Sequence, residues 1–374
     1  MQKYRVAIIG AGHRAGAHDE RRRSSGRRTA SHADAYIQLP ECELVGAADP
    51  NAENLAKLCS TYNIPRQFSD YRDLLEELKP DIVSVCTTGC PRAEIIIAAA
   101  EAGVQGVYAE KALCASMQEA DCIRDACKKA GVVLNYGTNR RFNPNYGAVR
   151  RAVQEGTIGQ PEGAVFLGAD LVMHGGSHVF DTLLYLLGDP GVVYVQGTLT
   201  AYEERGKKWL PEGRKVFNRP IYNAAENRFE PDPTLGMTDF TSDPGVDWAV
   251  VQFEGGTQGH AMRSPAMFEF AVYGSQGQIH CSESTPAFTV RRRLDRFSHE
   301  FAAEPLVLPE FEDSTVCIIR DLIHGIETDE STKGNVEIAH LGTEICLAVA
   351  ESHIRGGSRV DLPLENRTLY VPNH

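Results

Sequence analysis

The chain has 374 residues, enough for two ordinary domains, and its 42% hydrophobic and 24% charged residues are typical of a globular protein. Its net charge of −12 would repel a nucleic-acid backbone, and no apolar run reaches the ~18 residues that a membrane span needs. Ten scattered cysteines without a CxxC pair are typical of a reducing compartment, so we expect a cytoplasmic protein with no nucleic-acid or membrane partner and no metal.

The first third of the chain alternates strand-like apolar runs with helical stretches. Extended segments are predicted at Tyr4–Ile9, Glu43–Ala48, Arg66–Ser69, Ile82–Thr87, Gly106–Ala109 and Val132–Tyr136. Helices are predicted at Ala30–Gln38, Ala52–Tyr62, Tyr71–Leu78, Arg92–Ala102 and Ser116–Ala130. This alternation predicts a parallel, doubly wound α/β sheet.

The first strand runs into a glycine-rich turn of the form G-x-G-x-x-A. It comprises Gly10, Gly12 and Ala15, with His13 and Arg14 between the second glycine and the alanine. The first glycine permits a tight turn, the second lets the backbone approach a pyrophosphate, and a small third residue lets helix and strand pack. A structural turn is the alternative, but the position at the start of a βαβ unit favours a dinucleotide site.

Asp49 ends the second strand, where a carboxylate would accept hydrogen bonds from a ribose diol. It lies further from the turn than the usual ~20 residues, because the segment from His18 to Ser31 is inserted. The carboxylate would repel a 2′-phosphate, so NAD is the predicted cofactor. The five arginines of the insert could instead bind the phosphate of NADP or of a substrate, or belong to a solvated loop.

The second part of the chain changes character after Asn139–Pro144. Strand-like runs follow at Gly163–Leu167, Val192–Thr200, Trp248–Phe253, Gly259–Arg263, Phe268–Tyr273 and Gln278–Cys281. They predict a second, mainly antiparallel α+β domain, closed by helices at Thr315–Ile326 and Val336–Ile354. The polar stretch Lys207–Thr241 is predicted to be a long loop.

Several motifs occur in the order that one known family shows. They are Asp81–Thr88 (DIVSVCTT), Ala99–Gly103 (AAEAG), Glu110-Lys111, Asn139–Pro144 (NRRFNP) and Gly176–Asp181 (GSHVFD). The chain resembles the glucose–fructose oxidoreductase / inositol dehydrogenase (Gfo/Idh/MocA) family. The resemblance implies an NAD(P)-binding Rossmann domain at 1–138 and a substrate-binding and oligomerisation domain at 139–374. It also implies hydride transfer at a sugar or polyol carbon by a homodimer or homotetramer.

Oxidation of an alcohol requires a base for the hydroxyl proton and a cation to stabilise alkoxide character. The resemblance gives these roles to Lys111 and His178. Burial would lower the pKa of Lys111 and make it a proton relay, whereas a surface lysine is the alternative. Asp181, one turn after His178, could orient the imidazole ring. Ala112 stands where the family has a proline, so a rigid turn is lost beside the lysine.

His174 stands where the family commonly carries an aspartate, and we include it among the catalytic candidates. Together with His178 and Asp181 it could present metal ligands if the segment were helical throughout. Gly175 and Gly176 argue that the helix begins after His174, so a proton relay or a sugar contact is the favoured role.

The remaining predicted contacts lie in the crevice at the strand ends. Cofactor contacts beyond the glycine-rich turn and Asp49 are predicted at Thr87, Thr88, Glu110, Lys111 and Asn139. Substrate contacts are predicted at Lys111, Arg140, His174, His178 and Asp181, and Asp170 is a further carboxylate that could serve the site.

Three functions fit these residues. The first is an NAD(P)-dependent oxidoreductase acting on a sugar, cyclitol or glycoside. The second is redox-assisted glycoside cleavage, in which transient oxidation permits elimination and the hydride is returned, so that no net redox change occurs. The third is a non-catalytic nucleotide-binding sensor, against which Lys111 and His178 argue. The sequence does not select the sugar or the carbon.

Overall fold

The computed structural model describes residues 3–16, 30–89, 91–200, 220–223, 228–231, 243–264, 268–282, 287–295 and 300–372. Residues 17–29, which include all but the last two residues of the predicted insert His18–Ser31, and most of the predicted loop Lys207–Thr241 lie outside this range.

The first region is a six-stranded parallel sheet with helices between its strands. The strands are β1 (Tyr4–Ile9), β2 (Cys42–Ala48), β3 (Gln67–Phe68), β4 (Ile82–Val85), β5 (Gly106–Ala109) and β6 (Val133–Tyr136), in the order β3-β2-β1-β4-β5-β6. The helices are α1 (His32–Tyr36), α2 (Ala52–Tyr62), α3 (Tyr71–Leu78), α4 (Arg92–Glu101) and α5 (Met117–Ala130). The predicted doubly wound sheet is confirmed, and the strand order reverses between β1 and β4, which opens a crevice at their carboxyl ends.

Polar side chains fix where these helices begin. Asn51 accepts a hydrogen bond from the backbone N–H of Asn54 at the start of α2, and Asp70 accepts one from Arg72 at the start of α3. Each satisfies an amide that has no partner within its helix. Both helices therefore have the bounds that the sequence predicts.

The second region is a nine-stranded sheet. Its strands are β7 (Pro161–Leu167), β8 (Val192–Thr200), β11 (Gly245–Phe253), β12 (Gln258–Met262), β13 (Glu269–Gly274), β14 (Gly277–Ser282), β15 (Ala287–Arg293), β16 (Phe301–Pro305) and β17 (Val360–Asp361). The order is β16-β15-β14-β13-β7-β12-β11-β8-β17, and every pair is antiparallel except β7 with β12. The predicted mainly antiparallel α+β architecture is confirmed.

Four helices accompany this sheet: α6 (Pro144–Gln154), α7 (Gly176–Leu186), α8 (Ser314–Thr328) and α9 (Val336–Ile354). A 3₁₀ turn at Asn139–Phe142 joins β6 to α6. Helix α9 contacts both β8 and α5, so it ties the two regions together. In the part of the chain that the structure describes, no helix combines the length and apolar character needed to cross a membrane.

The sequence did not predict α6, β15 or β16. Strand β16 is exposed along its whole length, so its residues carry no buried, alternating pattern. The predicted loop Lys207–Thr241 also contains two paired strands, β9 (Pro220–Asn223) and β10 (Arg228–Pro231). Backbone pairing at these short strands prevails over a composition that indicates a loop.

Helix α8 packs on the first sheet, although its residues fall within the predicted second domain. Leu322 is fully buried in one cluster with Val6 and Tyr108. Gly106 is the first residue of β5. A larger residue would not fit there, because a Cβ would lie 2.7 Å from Cδ1 of Ile326. A single boundary after residue 138 therefore leaves out a helix that covers one face of the first sheet.

Candidate active site at the carboxyl edge of the parallel sheet

The predicted site residues gather at the carboxyl ends of five parallel strands and at the start of α7. Gly10, Gly12, His13, Arg14 and Ala15 follow β1, Asp49 follows β2, Thr87 and Thr88 follow β4, Glu110 and Lys111 follow β5, and Asn139 and Arg140 follow β6. His174 precedes α7, and His178 lies in its first turn. The helix begins at Gly176, as the two glycines predict.

The glycine-rich turn has the geometry that a pyrophosphate site needs. Gly10 has a φ of +92°, and a Cβ there would lie 2.7 Å from the backbone nitrogen of Thr87. A Cβ at Gly12 would meet no atom of the described residues within 4 Å, so its backbone faces open space. Ala15 is buried, as expected of the position that packs against the sheet.

Asp49 is held beside this turn. Its Oδ2 accepts a hydrogen bond from the backbone N–H of Ala11 at 2.6 Å, and its Oδ1 accepts one from Asn51 at 2.7 Å. Each carboxylate oxygen can accept a further hydrogen bond. The carboxylate is therefore fixed at the edge of the turn, with lone pairs left for a ribose diol.

Glu110 lies in a buried polar network. Its Oε1 accepts hydrogen bonds from Nε of Arg14 at 2.5 Å and from Nε2 of His32 at 3.1 Å. His32 stacks on Tyr108, and its Nδ1 lies 2.6 Å from Oγ of Ser84. Burial opposes ionisation, but Arg14 and His32 outweigh it and hold the pKa of Glu110 well below its usual range. The network links the glycine-rich turn to the end of β5.

The side chain of Lys111 meets His174. Its Nζ lies 3.0 Å from Nδ1 of the imidazole and donates a hydrogen bond to the carbonyl oxygen of His174 at 3.0 Å. Burial lowers the pKa of Lys111 to about 8, against the opposing charge of Glu110. Partial loss of solvent around the ring and the charge of Lys111 lower the pKa of His174 to about 4. Near neutral pH, the imidazole is therefore uncharged and can accept a hydrogen bond from the ammonium group.

His178 is also uncharged near neutral pH. Burial, Lys111 and Arg140 together lower its pKa well below the usual value. Its Nδ1 is buried and has no hydrogen-bond partner among the described residues. Within the described ranges, no group of three or more metal-ligating side chains is close enough to hold an ion.

Asp181 does not orient the imidazole of His178 as predicted. Its Oδ1 accepts a hydrogen bond from Nε of Arg141 at 2.9 Å, and Arg141 also donates to Asp189 at 2.8 Å. A buried guanidinium needs a carboxylate partner more strongly than a neutral imidazole does. Asp181 therefore joins α7 to the 3₁₀ turn after β6.

The sequence analysis missed Asp243, a buried carboxylate just before β11. Its Oδ1 accepts a hydrogen bond from the backbone N–H of Met173 at 2.9 Å, and its Oδ2 accepts one from His174 at 2.7 Å. Burial raises its pKa to about 7, and these two hydrogen bonds oppose the rise. Asp243 follows a polar, irregular stretch, so no local pattern in the sequence marks it.

Arg92 was also missed. It is buried at the start of α4 and donates hydrogen bonds to the carbonyl oxygens of Thr87 and Ala112. A side chain thus holds the segment after Lys111, where Ala112 replaces the proline of the family. A cation in the first turn of a helix interacts unfavourably with the helix dipole. An arginine at this position of the sequence could therefore have indicated a role in binding nearby carbonyl groups.

The comparisons with known proteins agree with this architecture. Residues 4–138 match the model of a family described as "Oxidoreductase family, NAD-binding Rossmann fold". The chain is 28% identical over 203 residues to a myo-inositol 2-dehydrogenase of Thermotoga maritima, which covers 49% of this chain and 59% of that protein. It is 29% identical over 271 residues to a scyllo-inositol 2-dehydrogenase (NAD(+)) of Bacillus subtilis, covering 68% and 70%.

A solved structure of levoglucosan dehydrogenase in complex with NADH and L-sorbose shares the fold, with a TM-score of 0.73 and 20% identity. The match covers 97% of this chain and 100% of that one. The order of the strands, the glycine-rich turn and the family match over the first sheet lead to one assignment. Residues 4–138 match the model of the Gfo/Idh/MocA oxidoreductases, and this part of the chain has the NAD-binding Rossmann fold that the model describes.

Proposed function

We propose that the protein is an NAD(P)-dependent oxidoreductase that transfers a hydride between nicotinamide and a hydroxyl-bearing carbon of a sugar, cyclitol or glycoside. The observation that carries the proposal is the placement of Lys111. Its half-buried side chain, with a pKa lowered to about 8, lies at the end of β5 in the crevice of a dinucleotide-binding sheet.

The residues present fit NAD. The open backbone face of Gly12 and the fixed carboxylate of Asp49 suit a pyrophosphate and an adenosine ribose. Bound nicotinamide would supply the hydride acceptor. Thr87, Thr88, Glu110 and Asn139 lie along the same edge and are the proposed neighbours of the ring and its ribose. NAD is the proposed preference over NADP because the charge of Asp49 would repel a 2′-phosphate.

Of Lys111 and His178, Lys111 is the better proton acceptor. Because its pKa is about 8, an appreciable fraction of Lys111 is the free amine at physiological pH. The pKa of His178 is far lower, so an imidazolium would be strongly disfavoured. We therefore assign the hydroxyl proton to Nζ of Lys111, while neutral His178 and His174 orient the substrate by hydrogen bonds.

The substrate class is supported by the names of related proteins, which include inositol and glucoside dehydrogenases. Because the chain spans little more than half of several of these relatives, the activity of the whole protein remains our proposal. The nine described cysteines are in no disulfide, which favours a reducing, cytoplasmic location. Exposed apolar side chains at Leu294, Phe301, Val307 and Phe311 support a homodimer or homotetramer.

The test is a substrate panel of cyclitols, free sugars and glycosides incubated with NAD, with NADH formation and product mass followed together. We expect NADH in proportion to a product two hydrogens lighter. The rate of oxidation should rise with pH up to about 8 and then level off, because only the free amine of Lys111 accepts a proton. Reduction of the ketone should show the opposite dependence.

Two substitutions separate charge from proton transfer. Lys111→Arg keeps a cation that does not lose its proton, and Lys111→Ala removes both functions. Both should lower kcat by about 10²-fold or more and abolish the rise of the oxidation rate with pH up to about 8. Wild-type turnover in Lys111→Arg would refute the role of a base. Glycoside cleavage without NADH would establish redox-assisted cleavage, and NADH binding without turnover of any compound would establish a sensor.

A further inference from the structure

Asp243 binds the backbone of the segment that carries His174. The carboxylate accepts hydrogen bonds from two consecutive amides, those of Met173 and His174, at 2.9 and 2.7 Å. The next residue, Pro244, adds a third hydrogen bond between the two segments: its carbonyl oxygen accepts from the N–H of Val172 at 2.8 Å. Asp243 is 2% exposed, so little water competes for these amides.

The same segment meets Lys111. The carbonyl oxygen and the ring of His174 both lie 3.0 Å from Nζ, so the position of the backbone at 174 decides whether both contacts form. A carboxylate and an ammonium group thus both bind the backbone of His174, the carboxylate at its N–H and the ammonium group at its carbonyl oxygen. The charge of Asp243 favours the protonated form of Lys111.

We propose that Asp243 is a positioning residue for the reaction: it holds residues 173 and 174 so that His174 contacts Lys111, and it supplies a negative charge that tunes the ionisation of that lysine. This inference rests on the proposed function of Lys111. The family commonly carries an aspartate at the position of His174, and in this chain Asp243 supplies a carboxylate to the same segment. Asp243 touches neither substrate nor cofactor and acts through the peptide segment and through its charge.

Asparagine at position 243 separates the proposal from simple packing. Asp243→Asn keeps the volume and one acceptor oxygen, but its NH2 group cannot accept a hydrogen bond, so one of the two backbone N–H groups loses its partner. Loss of the negative charge should lower the pKa of Lys111 below about 8. A misplaced His174 should lower kcat by about tenfold or more and leave the KM for NAD nearly unchanged.

The ionisation of Lys111 can be measured without turnover. Acetic anhydride acetylates only the free amine, so labelling of Lys111 from pH 6 to 10, quantified by peptide mass spectrometry, gives its pKa. In Asp243→Asn, labelling at pH 7 should increase about threefold, the change expected for a fall of half a pKa unit. Asp243→Glu keeps the charge on a longer side chain, so the pKa should stay near the wild-type value while kcat falls.

Glu119 provides a matched control. It is also buried, it accepts hydrogen bonds from the consecutive amides of Ala115 and Ser116, and its pKa is raised to about 7. Glu119→Gln should cost comparable stability and leave the labelling profile of Lys111 unchanged. The proposal is overturned if Asp243→Asn and Glu119→Gln give the same profile and the same kcat.

Two further outcomes are decisive. If the wild type forms no NADH with any compound, the proposed function fails, whereas the labelling still tests the effect of Asp243 on Lys111. If circular dichroism shows that Asp243→Asn does not fold, Asp243→Glu carries the test. An unchanged kcat in that folded variant would reject the positioning role.

Discussion

The carboxylates near Lys111 are stabilised in different ways, and their charges differ accordingly. Glu110 has the guanidinium of Arg14 as a partner and stays ionised. Asp243 accepts hydrogen bonds from two backbone amides, and burial raises its pKa to about 7. Glu110 therefore supplies a constant charge beside the lysine, whereas the charge of Asp243 changes within the physiological range.

Asp49 gives a prediction about the cofactor at the same scale. Asp49→Asn removes the charge that repels a 2′-phosphate and weakens the hydrogen bonds to a ribose diol. We expect the Kd for NADH to rise about tenfold, since a hydrogen bond to a charged group contributes about 1.5–3 kcal/mol, and the NADPH to NADH affinity ratio to increase. Fluorescence titration with both cofactors measures this.

Asp70→Asn is the control for Asp49, because Asp70 also follows a strand and accepts a backbone hydrogen bond, but at the end of β3. It should leave both affinities unchanged. An NADPH to NADH ratio in Asp49→Asn equal to that of the wild type would contradict the assigned role.

At the scale of elements, local patterns predicted most of the fold. Helix α9 has its predicted bounds because Asn335 caps it and the buried face follows without interruption. The edge strands were missed because they bury little, and the position of α8 was missed because periodicity shows that a face is apolar but not which sheet it covers.

The same limit applies to the candidate site. Strand ends and the glycine-rich turn could be predicted from order along the chain, and Lys111 and His174 do meet. The partner of Asp181 and the role of Asp243 could not be predicted, since each depends on a residue more than 30 positions away. Long-range pairs of this kind leave no periodic signal in a single sequence.

Helix α8 gives a prediction at this scale. Leu322 is fully buried between α8 and the first sheet, so Leu322→Ala should lower the free energy of unfolding by about 2–5 kcal/mol. Leu294→Ala makes the same chemical change at a side chain that is 58% exposed and should have little effect. Urea denaturation of both variants measures the difference, and equal midpoints would show that the packing of α8 contributes no stability.

At the scale of the whole molecule, the nucleotide-binding sheet is completed by residues far along the chain. Beyond the face covered by α8, the amide of Asn135 on β6 donates to the carbonyl oxygen of Ile318 at 2.9 Å, and the N–H of Tyr136 donates to Gly334 at 2.8 Å. The segment between β16 and β17 therefore returns to the first sheet and covers its edge. The first region therefore needs residues from beyond most of the second region to complete its fold, and we expect its binding of a dinucleotide to depend on them.

The fragment 1–138 tests this dependence. Without α8 it loses the burial of Val316, Ile318, Ile319, Leu322 and Ile323, which at about 2 kcal/mol each amounts to on the order of 10 kcal/mol. That is comparable with the whole stability of a domain, about 5–15 kcal/mol. We expect the fragment to unfold without a cooperative transition in urea and to bind NADH weakly. Joining residues 310–336 to it through a flexible linker should restore both properties, and the same fusion carrying Leu322→Ala should restore them less. A cooperative transition in the unfused fragment would show that the first region folds on its own, and α8 would then serve only to hold the two regions together.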